Sequence, residues 1–223
     1  MADRPLRLVL FDWDGTLVDS LGTIAISMAR AFASHDLPSP TRADMRELVG
    51  LRLDEIVRLL HPTGPAEEQA DVVESYRREF NLMMADPELP EELFPGVREG
   101  LAQLNENGFL QGIATGKSLR GLRTALERYG VAHHFLSLQT PDENPGKPNP
   151  GMLLRAMDEL GGLPENTVMV GDTRFDMHMA TNAGVTPIGV SWGNHSPSEL
   201  ADAGALVVLE RFEELNDYLA LTD

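Results

Sequence analysis

The chain opens with a short apolar run that has the length and composition of a buried β-strand. Residues 8–11 read Leu-Val-Leu-Phe, and residues 12–16 follow directly as Asp-Trp-Asp-Gly-Thr. An apolar run that ends at a glycine turn predicts a buried strand of a parallel sheet. Period-two alternation then places Asp12 and Asp14 on one side of the strand, and we expect Trp13 in the core on the other side.

After this strand the apolar positions recur at helical spacing, and no strand pattern follows for a long stretch. One apolar helical face begins at Leu21, and a later one covers residues 72–83. Prolines and glycines separate the helical segments and mark the return to another pattern. We therefore predict an all-helical cap domain over residues 17–90, inserted into an α/β core domain of residues 1–16 and 91–223.

In the second half of the chain, strand and helix patterns alternate. Short apolar runs predict strands at residues 110–115, 135–138, 167–170, 186–190 and 206–209. Helical patterns separate these runs, and this alternation is typical of a doubly wound parallel sheet with helices on both faces. The expected fold is therefore α/β, a Rossmann-like open parallel sheet.

Composition narrows the classes of protein that fit. The net charge of −17 argues against general binding to nucleic acids or anionic membranes, which need a basic surface. The absence of cysteine excludes thiolate metal sites and a cysteine nucleophile. No apolar stretch approaches the roughly 18 residues that span a bilayer. We therefore expect a cytoplasmic protein that acts on a small molecule.

Polar residues follow further predicted strands, as they follow the first. Thr115 and Gly116 end one strand, while Asp172 and Asp176 lie just beyond another. The carboxyl ends of parallel strands meet at one edge of the sheet, where ligands bind. We therefore expect these residues to gather near Asp12.

Lysine is scarce, because only Lys117 and Lys147 occur in the chain. Lys147 lies between Pro145 and Pro148, which restricts where its side chain points. Lys117 lies at the start of a predicted helix, where lysine is usually exposed, so we rank it well behind Lys147 as a phosphate ligand.

Acidic residues that gather in this way repel one another unless a cation lies between them. Mg²⁺ prefers oxygen ligands, and it would relieve the repulsion among Asp12, Asp172 and Asp176 while neutralising a bound phosphate. We therefore expect Mg²⁺ as the cofactor and phosphoryl transfer as the chemistry.

The remaining residues fit defined roles in that chemistry. Asp12 would attack phosphorus and form an aspartyl-phosphate. Asp14 would protonate the leaving alkoxide and then take a proton from the hydrolytic water. Thr115, Gly116 and Lys147 would bind the phosphoryl oxygens, where negative charge resides in the transition state.

Taken together and in order, these motifs resemble the haloacid dehalogenase superfamily, in its phosphoglycolate-phosphatase-like branch with a helical cap. The motifs are Asp12-x-Asp14-Gly-Thr, Thr115, Lys147-Pro148 and Gly171-Asp172-x-x-x-Asp176. The resemblance covers nearly the whole chain. It implies a sheet of strand order 3-2-1-4-5 with the nucleophile strand in the centre.

The resemblance also implies a role for each acidic residue. Asp12 is the expected nucleophile, and Asp14 the expected acid and base. The main-chain carbonyl of Asp14 is an expected Mg²⁺ ligand, and Asp172 is a direct ligand. Asp176 is expected at the metal site, where it more often orders the metal shell or Lys147 than binds the ion directly.

Several reactions of that superfamily are disfavoured by particular residues. Dehalogenases lack the second aspartate, which is present here as Asp14. Phosphonatases use a cap lysine, and residues 17–90 contain none. A sugar phosphomutase like β-phosphoglucomutase is the weaker alternative. Such mutases usually carry a histidine about ten residues after the second aspartate, whereas the first histidine here is His35. A pyrophosphatase, a nucleotidase and a non-catalytic binding module on the same scaffold stay open.

The cap is expected to choose the substrate, a small phosphorylated metabolite. The segment Gly50-Leu51-Arg52 resembles the loop that lowers a specificity residue over the site in relatives. Arg52 is therefore a candidate to pair with a substrate carboxylate, as in 2-phosphoglycolate. We expect a monomer or a homodimer.

Overall fold

A single parallel sheet organises the second half of the chain around the first strand. The structure is a computed structural model that describes residues 7–86, 88–89 and 91–221. Within these residues the strands are β1 (Leu8–Phe11), β2 (Leu110–Ala114), β3 (Ser137–Gln139), β4 (Thr167–Gly171), β5 (Thr186–Val190) and β6 (Val207–Leu209). Their order is β3-β2-β1-β4-β5-β6. The predicted order of five strands is confirmed, and β6 extends the sheet beyond β5.

The helices divide into two groups by their place in the chain. The cap helices, as we call the first four, are α1 (Leu21–Ala33), α2 (Arg42–Leu48), α3 (Leu53–Leu60) and α4 (Ala66–Met84). The later helices are α5 (Val97–Glu106), α6 (Leu119–Tyr129), α7 (Gly151–Leu160), α8 (Arg174–Ala183), α9 (Pro197–Asp202) and α10 (Glu213–Leu221).

Strand β1 is buried on both faces, as expected of the centre of a doubly wound sheet. It pairs in parallel with β2 on one side and with β4 on the other. Val9 and Phe11 pack into one apolar cluster, whereas Leu8 and Leu10 pack into a second cluster on the opposite face. Trp13 is fully buried in the first cluster, which confirms its expected place in the core.

The cap helices bury an apolar cluster of their own. Its most buried members include Met28, Met45, Val57 and Val72. The predicted cap boundary at Pro90 lies outside the described residues, and the division into two domains stays a prediction. None of the described helices is long and apolar enough to cross a membrane.

The two chain segments that join the cap helices to the sheet run side by side. Val18 and Leu93 form an antiparallel bridge. The Phe94 backbone N–H donates to the Leu17 carbonyl at 3.0 Å, and the Asp19 N–H donates to the Glu92 carbonyl at 3.0 Å. These paired segments place the cap helices at the carboxyl end of β1.

The largest difference between a predicted and an observed strand boundary is at β3, and the other strand ends agree to within one residue. Strand β3 begins at Ser137, two residues later than the pattern indicates, because a 3₁₀ turn over Ala132–His134 precedes it. Leu136 is left exposed at this sheet edge. An apolar residue next to an edge strand therefore extended the sequence pattern beyond the strand itself.

Candidate active site

Three aspartates from separate parts of the chain meet at the carboxyl edge of the sheet. Asp12 follows β1, Asp172 follows β4, and Asp176 lies in the first turn of α8. One carboxylate oxygen of each lies within 4.8 Å of the others, and all three residues are buried. The structure therefore brings together the acidic cluster that the strand-end pattern predicts.

Asp12 has an incompletely paired carboxylate. Its Oδ1 lies 2.8 Å from Lys147 Nζ, and its buried Oδ2 has no hydrogen-bond partner among the described residues. Burial raises the pKa of Asp12 to about 8, against the opposing effect of Lys147, and the charges of Asp176 and Asp172 add to the rise. The ionised form of Asp12 thus needs more positive charge than Lys147 alone supplies.

Lys147 is enclosed between two of these carboxylates. Its Nζ lies 2.8 Å from Asp12 Oδ1 and 2.6 Å from Asp176 Oδ1, and its side chain is fully buried. Burial alone would lower the pKa of Lys147, but the Asp12 and Asp176 carboxylates raise it above the ordinary lysine value. Lys147 is therefore a fixed positive charge beside Asp12.

The local sequence at the start of α8 orients Asp176 toward Lys147. The Thr173 backbone N–H and Oγ1 donate to Asp176 Oδ2 at 3.0 and 2.7 Å, which forms a capping box at the helix start. The other oxygen, Oδ1, is left for Lys147. This geometry is consistent with the expectation that Asp176 orders Lys147.

Asp172 is held by more hydrogen bonds than the other two acids. Thr16 Oγ1 donates to its Oδ1 at 2.8 Å, while the Asn194 backbone N–H and Nδ2 donate to its Oδ2 at 2.8 and 2.7 Å. Burial and the Asp176 charge raise the pKa of Asp172 to about 6, and these hydrogen bonds limit the rise. Sequence reasoning missed Asn194, which lies in the loop after β5.

Glycine is required where the backbone passes close to Asp172. A Cβ at Gly15 would lie 2.2 Å from Asp172 Oδ2, and a Cβ at Gly193 would lie 2.2 Å from Asp172 Cβ. Gly15 also has a φ of +87°, in the left-handed region that favours glycine. The turn after Asp14 and the loop before Asn194 can therefore both pack directly on this acid.

The donor set fits a hard divalent cation. Of the three buried carboxylates, Lys147 contacts those of Asp12 and Asp176, and Asp12 Oδ2 is buried without a hydrogen-bond partner among the described residues. An oxygen-rich cluster with excess negative charge is the environment that Mg²⁺ occupies in proteins. Asp12 and Asp172 are the residues best placed to hold such an ion, with Asp176 beside them.

Asp14 faces a different neighbour from Asp12. Both of its carboxylate oxygens lie 3.0 Å from Lys117 Nζ, and Ser20 Oγ donates to Oδ1 at 2.7 Å. The Lys117 side chain is only 10% exposed, and its Nζ lies 4.6 Å from the centroid of the Phe80 ring. The expectation of an exposed Lys117 is wrong, because Asp14 and cap helix α4 enclose it.

The loop after β2, which contains Thr115 and Gly116, lies directly beneath the cap. Thr115 is buried, and its Oγ1 accepts a hydrogen bond from the Lys117 backbone N–H at 3.3 Å. A Cβ at Gly116 would lie 2.5 Å from the Leu51 carbonyl oxygen and 2.7 Å from that of Gly50. Glycine at position 116 thus lets the Gly50–Leu51 segment of the cap pack on the loop after β2.

Arg52 lies at the edge of the same space. Its aliphatic stem packs on Gly146, where a Cβ would lie 2.5 Å from Arg52 Cγ. Its Nε donates to Asp54 Oδ1 at 3.1 Å, so its guanidinium is paired within the cap. The structure brings Arg52 to the cavity that contains Asp12.

A cavity of about 490 Å³ connects these residues. The site residues at its wall are Asp12, Asp14, Arg52, Thr115, Gly116 and Lys117. Asp172, Asp176 and Lys147 are not part of this wall, and Lys147 adjoins it through its contact with Asp12. The arrangement can hold a phosphoryl group at Asp12 and direct the rest of a substrate toward Asp14 and the cap.

Comparison with known proteins finds relatives that are named as hydrolases or phosphatases. The family model described as haloacid dehalogenase-like hydrolase matches residues 9–190. A protein of Dickeya dadantii named "Probable phosphatase IndB" is 36% identical over 93% of this chain and 91% of its own length. A phosphoglycolate phosphatase of Yersinia pseudotuberculosis is 33% identical over 95% of this chain and 92% of its own length.

The fold is found again among solved structures. A crystal structure of a "predicted phosphatase" from Clostridium acetobutylicum superposes with a TM-score of 0.86 at 25% identity, covering 97% of this chain and 99% of that one. The matched family model covers most of the sheet and all of the cap helices. The chain therefore belongs to the haloacid dehalogenase-like hydrolases.

Proposed function

We propose that this chain is a Mg²⁺-dependent phosphomonoester hydrolase that acts through an aspartyl-phosphate on Asp12. The observation that carries the proposal is the Asp12 carboxylate, which has one unpartnered buried oxygen in a cluster of three acids beside Lys147. The names of the relatives as phosphatases support the same activity.

In the first step an Asp12 oxygen attacks phosphorus, and the bond between phosphorus and the ester oxygen breaks. Asp14, at the wall of the same cavity, donates its proton to the departing alkoxide. Lys147 and Thr115 bind the phosphoryl oxygens as their charge grows. Mg²⁺, when bound by Asp12 and Asp172, supplies charge neutralisation for both the carboxylates and the phosphoryl group.

In the second step water attacks phosphorus, and the bond to the Asp12 oxygen breaks. Asp14 now takes the proton from that water, so it returns to its starting form. Inorganic phosphate leaves, and Asp12 is regenerated. The cap excludes other water while the first step occurs, and it must open to admit the hydrolytic water.

For the substrate, we propose a small phosphorylated metabolite. Relatives named phosphoglycolate phosphatase favour a phosphoglycolate-like ester, and Arg52 is the candidate partner of its carboxylate. For that role Arg52 has to release Asp54. A phosphomutase, a pyrophosphatase or nucleotidase, or a binding module without activity are the alternatives. A cytoplasmic location and a monomeric or homodimeric state stay predictions from the sequence.

The test is release of inorganic phosphate from 4-nitrophenyl phosphate with Mg²⁺ and with EDTA. We expect turnover only with Mg²⁺, and a loss of at least about a thousandfold in kcat for Asp12→Asn, since the nucleophile is removed. Asp19→Asn, a change at an exposed aspartate nearby, is the matched control and should retain activity. Substantial turnover by Asp12→Asn, or full activity in EDTA, would contradict the proposal.

A further inference from the structure

The cap touches the core close to the acidic cluster. Cap helix α2 and the residues that follow it lie over the start of α8. The Arg174 guanidinium of α8 lies 3.2 Å from a Glu47 carboxylate oxygen of α2. A Cβ at Gly50 would lie 3.2 Å from Thr173 Oγ1, the hydroxyl that donates to Asp176. The cap therefore packs on the same turn that orients one acid of the cluster.

A second contact of α2 reaches the loop after β5, which holds Asp172. Arg46 Nε donates to the Asn194 carbonyl oxygen. The N–H of the same peptide group belongs to His195, and it donates to the Asp172 carbonyl oxygen at 3.1 Å. The peptide group between Asn194 and His195 is thus held by the cap on one side and by the backbone of a metal-cluster acid on the other.

Asn194 also determines which oxygen of Asp172 is open to a cation. A carboxylate oxygen offers about two lone pairs. The Asn194 N–H and Nδ2 use both lone pairs of Asp172 Oδ2, at 2.8 and 2.7 Å. Within the described chain, Oδ1 accepts one hydrogen bond, from Thr16 at 2.8 Å, and so keeps a lone pair for an ion. The orientation of Asp172 toward a cation therefore depends on where Asn194 is held.

We propose that Arg46 of the cap is a positioning residue for Asp172, so that docking of the cap and binding of a divalent cation strengthen each other. Arg46 holds the Asn194 carbonyl, and Asn194 holds Asp172 Oδ2. Such coupling is reciprocal, because a cation that binds more tightly when the cap is docked must favour the docked cap by the same factor. The inference rests on the proposed Mg²⁺ dependence and adds a cap residue to the surroundings of the metal site.

The first test measures Mg²⁺ binding by isothermal titration calorimetry without substrate. Direct hydrogen-bond partners of metal ligands typically change metal affinity about 10–100-fold, and Arg46 lies one contact further out. We therefore expect Arg46→Met to raise the dissociation constant of Mg²⁺ about five- to tenfold. Arg46→Lys keeps a charged donor, so its dissociation constant should lie between those of the wild type and Arg46→Met. Arg46 is exposed, so these variants leave the apolar cluster of the cap intact.

Arg42→Met is the matched control. Arg42 lies one turn before Arg46 on α2, and both arginines are exposed and line a second cavity, beside Asn194. Loss of either positive charge should by itself tighten cation binding, because it makes the surroundings of the acidic cluster more negative. We expect Arg42→Met to bind Mg²⁺ at least as tightly as the wild type. Weaker binding by Arg46→Met therefore reports the lost hydrogen bond and not the lost charge.

Amide hydrogen exchange measures the coupling in the opposite direction. Mg²⁺ without substrate should slow exchange in α2 of the wild type, because the occupied site favours the docked cap. This effect of Mg²⁺ should be largely lost in Arg46→Met and kept in Arg42→Met. A role of Arg46 in cap stability alone would instead change exchange equally with and without Mg²⁺.

The outcomes separate this inference from the proposed function. Equal Mg²⁺ dissociation constants for the wild type and Arg46→Met, or the same weakening in Arg42→Met, overturn the inference and leave the phosphomonoesterase intact. A full Mg²⁺ effect on exchange in Arg46→Met also overturns it. If the wild type binds no Mg²⁺, the proposed Mg²⁺ dependence itself fails and the inference fails with it.

Discussion

Replacing Lys147 by methionine tests the charge balance of the acidic cluster. Within the described chain, Lys147 is the cation that contacts this cluster, at 2.8 Å from Asp12 and 2.6 Å from Asp176. At an effective dielectric constant of about 20, each contact corresponds to about 6 kcal/mol of attraction. Methionine keeps most of the side-chain volume and removes the charge.

The measured loss will be smaller than the sum of these attractions. Proton uptake by the carboxylates and entry of water offset part of it, and removal of one partner of a buried ion pair typically costs about 3–5 kcal/mol. We therefore expect Lys147→Met to lower the free energy of unfolding by about 3–5 kcal/mol in EDTA. Mg²⁺ should restore part of this loss, because it supplies positive charge to the same carboxylates.

The assay is urea unfolding followed by circular dichroism near neutral pH, in EDTA and in excess Mg²⁺. Lys117→Met is the matched control, since Lys117 pairs with one acid, Asp14, whereas Lys147 pairs with two. We expect a loss of at most about 2 kcal/mol for that variant. If Lys147→Met is no less stable than Lys117→Met in EDTA, the charge argument for the cluster is refuted.

Two further predictions concern pH and the cap. The raised pKa values of Asp12 and Asp172, about 8 and about 6, mean that the folded state binds protons more tightly than the unfolded state. The quantity to measure by urea unfolding in EDTA is the free energy of unfolding of the wild type minus that of Asp12→Asn. This difference should fall as pH rises from about 4 to 8, and a rise over the same range would contradict the raised pKa of Asp12. Gly116→Ala places a Cβ against the Gly50–Leu51 segment of the cap, so kcat/KM should fall at least about tenfold. Gly22→Ala on α1 is the control, because its Cβ would make only ordinary contact and kcat/KM should not change. Equal activities of the two variants in steady-state assays would show that the close approach at Gly116 is unimportant.

Much of the fold follows from local patterns. The apolar run at residues 8–11 and the helix–strand alternation after residue 96 predict the parallel sheet, because their periodicities match single elements. The start of β3 was wrong by two residues, because exposed Leu136 continues the apolar run outside the strand. A strand was predicted at residues 206–209, but the predicted strand order did not include it. Its place beside β5 depends on contacts between distant segments, which local patterns do not reveal.

The candidate site was predictable where it depends on strand ends. Asp12 and Asp172 follow neighbouring parallel strands, so topology alone brings them together. The burial of Lys117 beside Asp14 was not predictable, because it depends on Phe80 of cap helix α4, which is distant from both residues in the chain. Asn194 was missed for a similar reason, since its contact with Asp172 joins two loops that the chain pattern does not relate.

Chemical trapping of the intermediate tests the central claim most directly. Enzyme that is turning over a phosphomonoester with Mg²⁺ is quenched in acid and reduced with borohydride, which converts an acyl-phosphorylated aspartate to homoserine. Peptide mass spectrometry should then find homoserine at position 12, and none when substrate is omitted. An active enzyme that gives no modified residue, or one modified at Asp14 or Asp172 instead, would contradict Asp12 as the nucleophile.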